Sequence, residues 1–119
     1  MPNVILESPF KGNTPKVQDR NIFYAQLCMK DCLDRGEAPF ASHLLYTQPH
    51  ILSDILKEDR AKGISAGLSW GRYADYILVY TDLGISGGMT SSIGIYKTLL
   101  IPIKYRILKN WEEIWSLEQ

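Results

Sequence analysis

The sequence predicts a single α/β domain of the Rossmann-like (flavodoxin-like) three-layer type, with helices on both faces of a parallel sheet of about four strands. Short apolar runs alternate with longer segments of helical periodicity in the order β-α-β-α-β-α-β. The links between them are short, which favours right-handed crossovers and therefore parallel strands. A length of 119 residues, 45% of them hydrophobic, suits one hydrophobic core.

Four runs of β-forming residues are predicted as the strands. The first, residues 4–6, stops at a loop with proline and glycine, and the second, residues 38–41, has its proline near the start, where a sheet tolerates one. Residues 76–80 form an unbroken run, which is typical of a central strand buried on both faces. Residues 101–105 are the fourth predicted strand, and residues 42–49 are predicted as an apolar and aromatic loop.

The first predicted helix begins after Thr14, which would cap it ahead of Pro15, and it ends at Gly36. Its inward stripe, at spacings of three and four, consists of Val17, Asn21, Tyr24, Ala25, Cys28 and Cys32. The two cysteines lie one turn apart on one face, where a strain-free disulfide is disfavoured, and no further ligands accompany them to complete a zinc site. We therefore predict buried reduced thiols, which suit a cytoplasmic protein.

The second and third predicted helices follow the second and third strands. The second runs from about Ser53 or Lys57 to Arg72, and the third covers residues 89–100. Glycines recur along the second helix every four residues, and each costs about 1 kcal/mol relative to alanine. We therefore expect a close approach by the sheet or by a partner at Gly63, Gly67 and Gly71. The residues of this helix predicted to face inward are Ala61, Ile64, Leu68 and Trp70.

The final segment, residues 110–119, is predicted as a short apolar helix. Its face carries Trp111, Ile114, Trp115 and Leu117. Such a face is too apolar to be left in water without a reason. Two interpretations stay open: the segment packs back on a domain formed by residues 1–109, or it joins subunits into a homo-oligomer.

Charge and composition exclude several classes of partner. Thirteen basic residues balance thirteen acidic ones, so no overall field attracts nucleic acid or a membrane surface. The nearest basic cluster is predicted to be a solvated rim rather than a phosphate track; it consists of Lys97, Lys104, Arg106 and Lys109. The first residues do not form a signal peptide, and no apolar run approaches about 18 residues, so we expect a cytoplasmic protein.

The loops predicted at the carboxyl ends of the strands are the candidate ligand site, because open parallel sheets bind ligands at that edge. After the third strand, Gly84, Gly87 and Gly88 would let backbone amides approach a ligand, and the next helix directs its positive N-terminus at the same place. A phosphate or a ribose hydroxyl fits such a site. The loop is neither the dinucleotide fingerprint nor a P-loop, so a plain strand-to-helix turn is the alternative.

Few residues are placed for acid–base chemistry. His43 and His50 are the only histidines, and we interpret a lone loop histidine as a hydrogen-bond partner rather than a general base. No Ser-His-Asp spacing marks a nucleophile. Asp75 and Asp82 flank the third strand at opposite ends, so Asp82 belongs to the ligand side and Asp75 is predicted to cap or turn at the other edge.

Taken together, these features resemble the nucleoside 2-deoxyribosyltransferase-like family over about residues 3–106. The matching parts are Ser8-Pro9-Phe10 after the first strand, Pro39-Phe40 in the second, residues 74–80 with Asp75 at the start of the third, the Asp82 loop with its glycines, and residues 92–94 leading to Ile101-Pro102. The resemblance implies the strand order 2-1-3-4 and frequent oligomers with sites near subunit contacts.

Enzymes of this family cleave an N-glycosidic bond with a glutamate nucleophile in the last helix, and the matching position is Ser92 here. No acidic residue lies between Asp82 and Trp111. A serine without an adjacent base is a poor nucleophile. We therefore expect a noncatalytic binder of a nucleoside, a nucleotide or an ADP-ribose-like signal, such as a phage protein that sequesters a nucleotide signal. The alternative is a deoxyribosyltransferase or N-glycoside hydrolase that uses Asp75 or Asp82.

The predicted ligand-binding residues all belong to the loops and helix starts at the carboxyl edge of the sheet. They are Ser8, Pro9, Phe10, Gly12, His43, Tyr46, Asp82, Gly84, Ser86, Gly87, Gly88, Met89 and Ser92. The expected partner is a nucleoside or nucleotide, with no cofactor and no metal.

Overall fold

A computed structural model describes residues 1–53 and 55–119. Its strands are β1 Asn3–Glu7, β2 Ala38–Phe40, β3 Tyr76–Tyr80 and β4 Ile103–Arg106. Its helices are α1 Pro15–Asp34, α2 Ser42–Leu45, α3 Lys57–Gly71, α4 Gly87–Thr98 and α5 Trp111–Glu118. The strands form one parallel sheet in the order β2-β1-β3-β4, which confirms the predicted fold class and strand order.

The order in which strands are added to the sheet reverses between β1 and β3, which are neighbours in the sheet. The chain first moves from β1 outward to β2 and then returns to β3 on the other side. Glu7 at the end of β1 lies opposite Val79 of β3 in the register. A crevice beyond the carboxyl ends of these two strands is where open α/β sheets bind their ligands.

Side chains alternate between two cores, one on each face of the sheet. Val4 and Leu6 of β1 join Tyr24, Cys28 and Cys32 of α1 on the first face. The second face holds Ile5, Ile77, Val79, Met89, Ile93 and Tyr96. Because Glu7 is two residues after Ile5, its side chain belongs to the second face, beside α4.

Most predictions for α1 are confirmed, and the exception is Val17, which lies in the first turn and is only half-buried. The Thr14 side chain caps the helix by accepting a hydrogen bond from the backbone N–H of Val17, and Gly36 has a φ of +81°, a left-handed conformation that suits glycine. Five of the six predicted inward residues are buried: Asn21, Tyr24, Ala25, Cys28 and Cys32. Both cysteines are buried and free, and burial raises the pKa of Cys28 well above its ordinary value.

The prediction for the inward face of α3 is confirmed for Leu68, which packs against the second core, and wrong for the other three residues. Ala61, Ile64 and Trp70 are exposed and Leu68 is half-buried, whereas Gly67 and Gly71 are buried. A Cβ at Gly71 would overlap Cε1 of Tyr96, and one at Gly67 would lie 2.7 Å from Oγ of Ser42. The inner face of α3 therefore consists of Leu68, Gly67 and Gly71, and the two glycines allow close approach by the side chains of α2 and α4.

Several boundaries also differ from the predictions. Residues 42–49, predicted as a loop, contain α2, and α4 begins at Gly87 instead of residue 89. The earlier start of α4 has a local cause, because the Ser86 side chain accepts a hydrogen bond from the Met89 N–H and caps the helix. Strand β4 begins at Ile103, two residues later than predicted. Ile101, which precedes the strand, packs against the second core.

The C-terminal helix α5 packs on α1 of its own chain. Trp111 is buried with its ring edge-on to Tyr24 at 5.3 Å, and Trp115 tilts against Phe23 at 5.1 Å. Leu117 remains 85% exposed. None of the helices within residues 1–53 and 55–119 combines the length and apolar character needed to cross a membrane.

A group of paired polar side chains, which we call the Glu37 network, lies on the α1 side of the sheet. The carboxylate of Glu37 accepts hydrogen bonds from Arg106 at 2.7 and 2.9 Å and from the hydroxyl of Tyr76. Tyr80 donates to Asp31 at 2.6 Å and accepts from Arg106 at 3.1 Å. The hydrogen bonds to Glu37 hold its pKa at about 2, chiefly through Arg106.

Candidate functional site

A cavity of about 280 Å³ lies at the carboxyl edge of the sheet, on the side of α3 and α4. Its wall comes from the end of β1 and the following loop, from α2 and the residues after it, from one side of α3 and from one face of α4. The volume is close to the lower end of the range of about 300–1,000 Å³ that is usual for small-molecule sites. The cavity therefore occupies the place that the strand order predicts for a ligand.

Glu7 lies in this cavity and is not among the predicted site residues. Only part of its side chain is exposed, and within residues 1–53 and 55–119 its carboxyl group has no hydrogen-bond or ion-pair partner. Burial without a compensating partner disfavours the charged form. It raises the pKa of Glu7 from 4.5 to about 7.

Tyr96 of α4 lines the same cavity and is almost completely buried. Its hydroxyl likewise lacks a hydrogen-bond partner in the part of the chain that the structure describes. Burial and the negative charge of Glu7 both raise the pKa of Tyr96. The cavity floor thus carries two polar groups that the protein itself leaves unpaired.

Ser8 and His43 form a hydrogen bond of 2.8 Å between Oγ and Nε2, which connects the end of β1 to α2. Burial lowers the pKa of His43 to about 4, so the ring is neutral at physiological pH. Among the described residues no carboxylate bonds to the other ring nitrogen, so the pair does not form a catalytic triad. This agrees with the interpretation of His43 as a hydrogen-bond partner.

Aromatic rings form part of the cavity wall. Phe10 contacts His43 edge-on at 6.4 Å. Tyr46 lies 6.1 Å from Phe40 and accepts a hydrogen bond of 3.1 Å from the Trp70 indole. These contacts fix the orientation of the Phe10 and Tyr46 rings, and fixed rings offer flat surfaces on which a planar ligand can stack.

The start of α4 contributes Ser86, Gly88, Met89 and Ser92 to the cavity. The Ser86 oxygen already accepts the capping hydrogen bond, and its backbone N–H lies 3.4 Å from the Met89 sulfur. Ser92, Met89 and Tyr96 are spaced three and four residues apart, so they share the face of α4 that looks across the cavity toward β1.

Eight of the thirteen predicted ligand-binding residues line the cavity: Ser8, Phe10, His43, Tyr46, Ser86, Gly88, Met89 and Ser92. The remaining five, Pro9, Gly12, Asp82, Gly84 and Gly87, are not among its lining residues. Two of these glycines are required by the local backbone conformation or packing instead of by a ligand. Gly84 has a φ of +83°, and a Cβ at Gly12 would lie 2.7 Å from Val17 Cγ1.

The two candidate catalytic aspartates are both engaged in structural hydrogen bonds. The Oδ2 atom of Asp82 accepts from the Tyr24 hydroxyl at 2.5 Å and from the Leu108 N–H at 2.7 Å. Asp75 accepts from the Asn3 N–H at 2.7 Å, at the amino edge of the sheet where the sequence predicts a cap or turn. Neither side chain is part of the cavity wall.

Charged groups also line the cavity. Lys11 and Arg60 are exposed and lie at its mouth, whereas Asp59 accepts a hydrogen bond of 2.8 Å from the Ser53 N–H. Sequence reasoning misses Glu7 because it looks for acids around Ser92, yet the place of Glu7 two residues after Ile5 is visible in the sequence. Within the described residues, no group of three or more His, Cys, Asp or Glu side chains could hold a metal ion.

Comparison with known proteins supports the fold relation. The sequence profile of a family described as a domain of unknown function (DUF7768) matches residues 2–106. A 2-deoxyribosyltransferase of Bacillus psychrosaccharolyticus, described as a biocatalyst for nucleoside synthesis, has a similar structure. Its TM-score is 0.60 at 16% identity, over 94% of this chain and 89% of that chain.

A second solved structure, the CMP N-glycosidase BcmB of Clostridium botulinum, aligns over 98% of each chain with a TM-score of 0.44 and 11% identity. No curated protein has a matching sequence. The likeness to the deoxyribosyltransferase confirms the predicted relation at the level of the fold.

Proposed function

Because this chain belongs to the DUF7768 family of domains of unknown function, we propose its role from the geometry of the cavity: the domain binds a nucleoside or a nucleotide. The observation that carries this proposal is the position of the cavity at the carboxyl edge of β1, beside the β1–β3 switch in strand order. The 2-deoxyribosyltransferase with the same fold acts on deoxyribosyl compounds, as its name states, and this supports the ligand class.

The chemistry of the wall supports the same ligand class. Phe10 and Tyr46 offer ring surfaces, and base–aromatic stacking contributes about 1–3 kcal/mol per base. Lys11 and Arg60 at the mouth are positive groups that can meet a phosphate, while Ser92 offers a hydroxyl to a sugar. Stacking surface, cations and hydroxyl together match the three parts of a nucleotide.

We propose binding without turnover at α4, because the family resemblance of the sequence matches Ser92 to the nucleophile position of the deoxyribosyltransferase-like enzymes. Such binding would suit sequestration of a nucleotide or ADP-ribose-like signal, for example by a phage protein. Self-association remains part of the proposal, although α5 is already engaged with α1 of its own chain.

A second candidate function, N-glycoside hydrolysis, is favoured by one specific observation, the Glu7 carboxyl in the cavity. A carboxyl group with a pKa of about 7 suits general acid–base work at neutral pH. Glu7 would donate its proton to the leaving base as the C1′–N bond breaks, and water would add to C1′ and return a proton to Glu7. The products would be the free base and the free sugar.

The test of binding is a thermal-shift screen of nucleosides, nucleotides and ADP-ribose at millimolar concentration. A ligand at 100 times its Kd should stabilise the fold by about 2.7 kcal/mol. Gly88→Phe should abolish the shift by filling the cavity, whereas Gly87→Phe is the matched control, because Gly87 lies outside the wall and both positions have open space beside the Cβ.

The outcomes of this screen distinguish binding in the cavity from binding elsewhere and from no binding. An unaltered protein that gives no shift with any compound would refute the proposal. Equal shifts in the two glycine variants would place the ligand elsewhere. Chromatography of the same mixtures for free base tests the second candidate function, which requires base release that is lost in Glu7→Ala.

A further inference from the structure

Glu7 differs from the paired polar groups of the α1 side, because the protein leaves it without a hydrogen-bond partner. In the described part of the chain its carboxyl has no partner, although neighbouring Ser8 is hydrogen-bonded and buried. The carboxyl oxygens of Glu7 are not sealed in the core but open to the cavity that the residue lines. A molecule that enters the cavity can therefore bond to a group that no protein side chain occupies.

We propose that Glu7 selects the ligand as a neutral carboxylic acid, offering one hydrogen-bond donor and one acceptor to an edge of the ligand that presents the complementary pair. This inference rests on the proposed binding function and names the group that recognises the ligand. Because only the neutral acid can donate, it makes binding depend on a proton.

The surroundings of Glu7 favour the neutral form. It lies on the same sheet face as Ile5, Val79, Met89 and Ile93, whose side chains are apolar and buried. Burial raises its pKa to about 7, so the free protein near neutral pH contains both forms. Ionisation in the presence of a ligand that needs the donor would cost both the hydrogen bond and the desolvation of a carboxylate.

Other titratable and charged groups enter the cavity from every element around it. They are Lys11 from the β1 loop, His43 of α2 and Tyr46 after it, Asp59 and Arg60 from α3, and Tyr96 from α4. His43 is neutral because burial lowers its pKa to about 4, and the raised pKa of Tyr96 keeps its phenol protonated. Variants of Glu7 alone leave all of these groups in place, so their contributions cancel in the comparison.

The chemistry of the ligand follows from the group that meets it. A neutral carboxyl has an O–H donor beside a carbonyl acceptor. Purine and pyrimidine bases present a donor next to an acceptor, such as the amino group and ring nitrogen of adenine. Two parallel hydrogen bonds then join base and acid, with the base held between Phe10, Tyr46 and the α4 face. The base therefore lies at the floor of the cavity and the sugar toward the mouth.

Calorimetric titration with the nucleosides adenosine, guanosine, cytidine and uridine at pH 6 and pH 8.5 tests this inference. Nucleosides are used because a phosphate group titrates near pH 6 and would confuse the comparison. With a pKa of about 7, the unaltered protein should bind its best nucleoside about 30-fold more weakly at pH 8.5 than at pH 6.

Variants of Glu7 sharpen the measurement. Glu7→Gln keeps one donor and one acceptor without a titrating proton, so it should bind about equally at both pH values. Glu7→Leu should bind at least about tenfold more weakly at pH 6, through loss of the hydrogen bonds. Circular dichroism establishes that each variant folds, and carbon NMR of labelled glutamate should show that the nucleoside raises the pKa of Glu7.

The outcomes distinguish this inference from the proposed function. Binding that is equal at the two pH values, or stronger at pH 8.5, would overturn the role of the neutral acid while leaving nucleoside binding intact. A Glu7→Gln protein that keeps the pH dependence of the unaltered protein would overturn it as well. Absence of binding by any nucleoside or nucleotide at either pH would remove both proposals together.

Discussion

Each face of the sheet carries a glutamate, buried on one side and partly buried on the other, and the protein treats the two in opposite ways. Glu37 on the α1 side is bonded by Arg106 and Tyr76, and its pKa falls to about 2. Glu7 on the α4 side has no partner among the described residues, and its pKa rises to about 7. The surroundings therefore stabilise the charged form on one face and the neutral form on the other. We interpret the first face as built for stability and the second as built for a ligand.

The largest effect is expected from breaking the Glu37 network. Arg106→Met leaves the carboxylate of Glu37 without its cation, and removal of one partner of a buried ion pair costs about 3–5 kcal/mol of unfolding free energy. Urea denaturation at pH 7 measures the loss. Arg35→Met is the control, because the Arg35–Asp31 pair is partly exposed and should contribute less than about 1 kcal/mol. Equal losses in the two variants would contradict the contrast between the faces.

The pH dependence of stability should run in opposite directions for the two acids. The folded state holds the Glu7 proton more tightly than the unfolded chain does, so this group's stabilisation is complete below pH 4.5, declines as the pH rises through about 7, and is absent above it. The decline amounts to at most about 3 kcal/mol. Glu7→Gln should abolish it in urea melts taken between pH 4.5 and 8.

Glu37 should change the free energy of unfolding with pH in the opposite direction. Its lowered pKa contributes stability above pH 4.5, which is lost as the pH falls toward about 2. Glu7→Gln should leave this acid limb unchanged, so a variant that altered both limbs would show that the two sites are coupled.

An intermediate effect is expected where the helices of the cavity side meet. Gly71→Ala places a Cβ in the space of the Tyr96 ring, and overpacking of this kind costs about 1–3 kcal/mol. Gly94→Ala in α4 meets open space and should be neutral or stabilise by up to about 1 kcal/mol. Thermal melting of the two variants measures the difference. A Gly71→Ala protein as stable as the unaltered one would show that Tyr96 moves freely.

The smallest effect concerns α5. Trp115→Ala removes a half-buried ring from Phe23 and should cost about 1–2 kcal/mol, less than the truncation of a fully buried tryptophan. Because this contact lies within one chain, the mass measured by light scattering should not change with the substitution. A lower mass would support the alternative that the segment also joins subunits.

Much of the fold could be predicted from the sequence because its signals are local. The stripe of α1, with Thr14 and Gly36 at its ends, needs only helical periodicity and capping. The unbroken run of β3 marks a central strand in the same way. The strand order comes from the family resemblance instead.

The errors arise where the partner of a residue is distant in the chain. Ala61, Ile64 and Trp70 are wrongly predicted to face inward, because close packing against Ser42 and Tyr96 selects glycine on that side of α3. The position of Asp82 in a glycine loop suggests a ligand contact, yet its side chain is bonded to Tyr24, 58 residues away. The spacing of residues along the chain gives no information about contacts between such distant residues.

The candidate site contains both residues that the sequence predicts and one that it misses. Its location follows from a general rule about parallel sheets, and eight predicted residues line the cavity. Glu7 escapes prediction when acids are counted only near Ser92, on the helix side of the cavity. Glu7 could also be predicted from the sequence, because it ends β1 and lies on the same sheet face as Ile5.

The hydroxyl of Tyr24 has a consequence for the far end of the chain. It is bonded to Asp82 just after β3, the same carboxylate accepts from Leu108, and Trp111 lies against the Tyr24 ring. The strand end on which the α4 loop begins is thus clamped from behind by residues that follow β4. A proteolytic cut or a tethered label beyond Arg106 should therefore weaken the support of this strand end as well as the packing of α5.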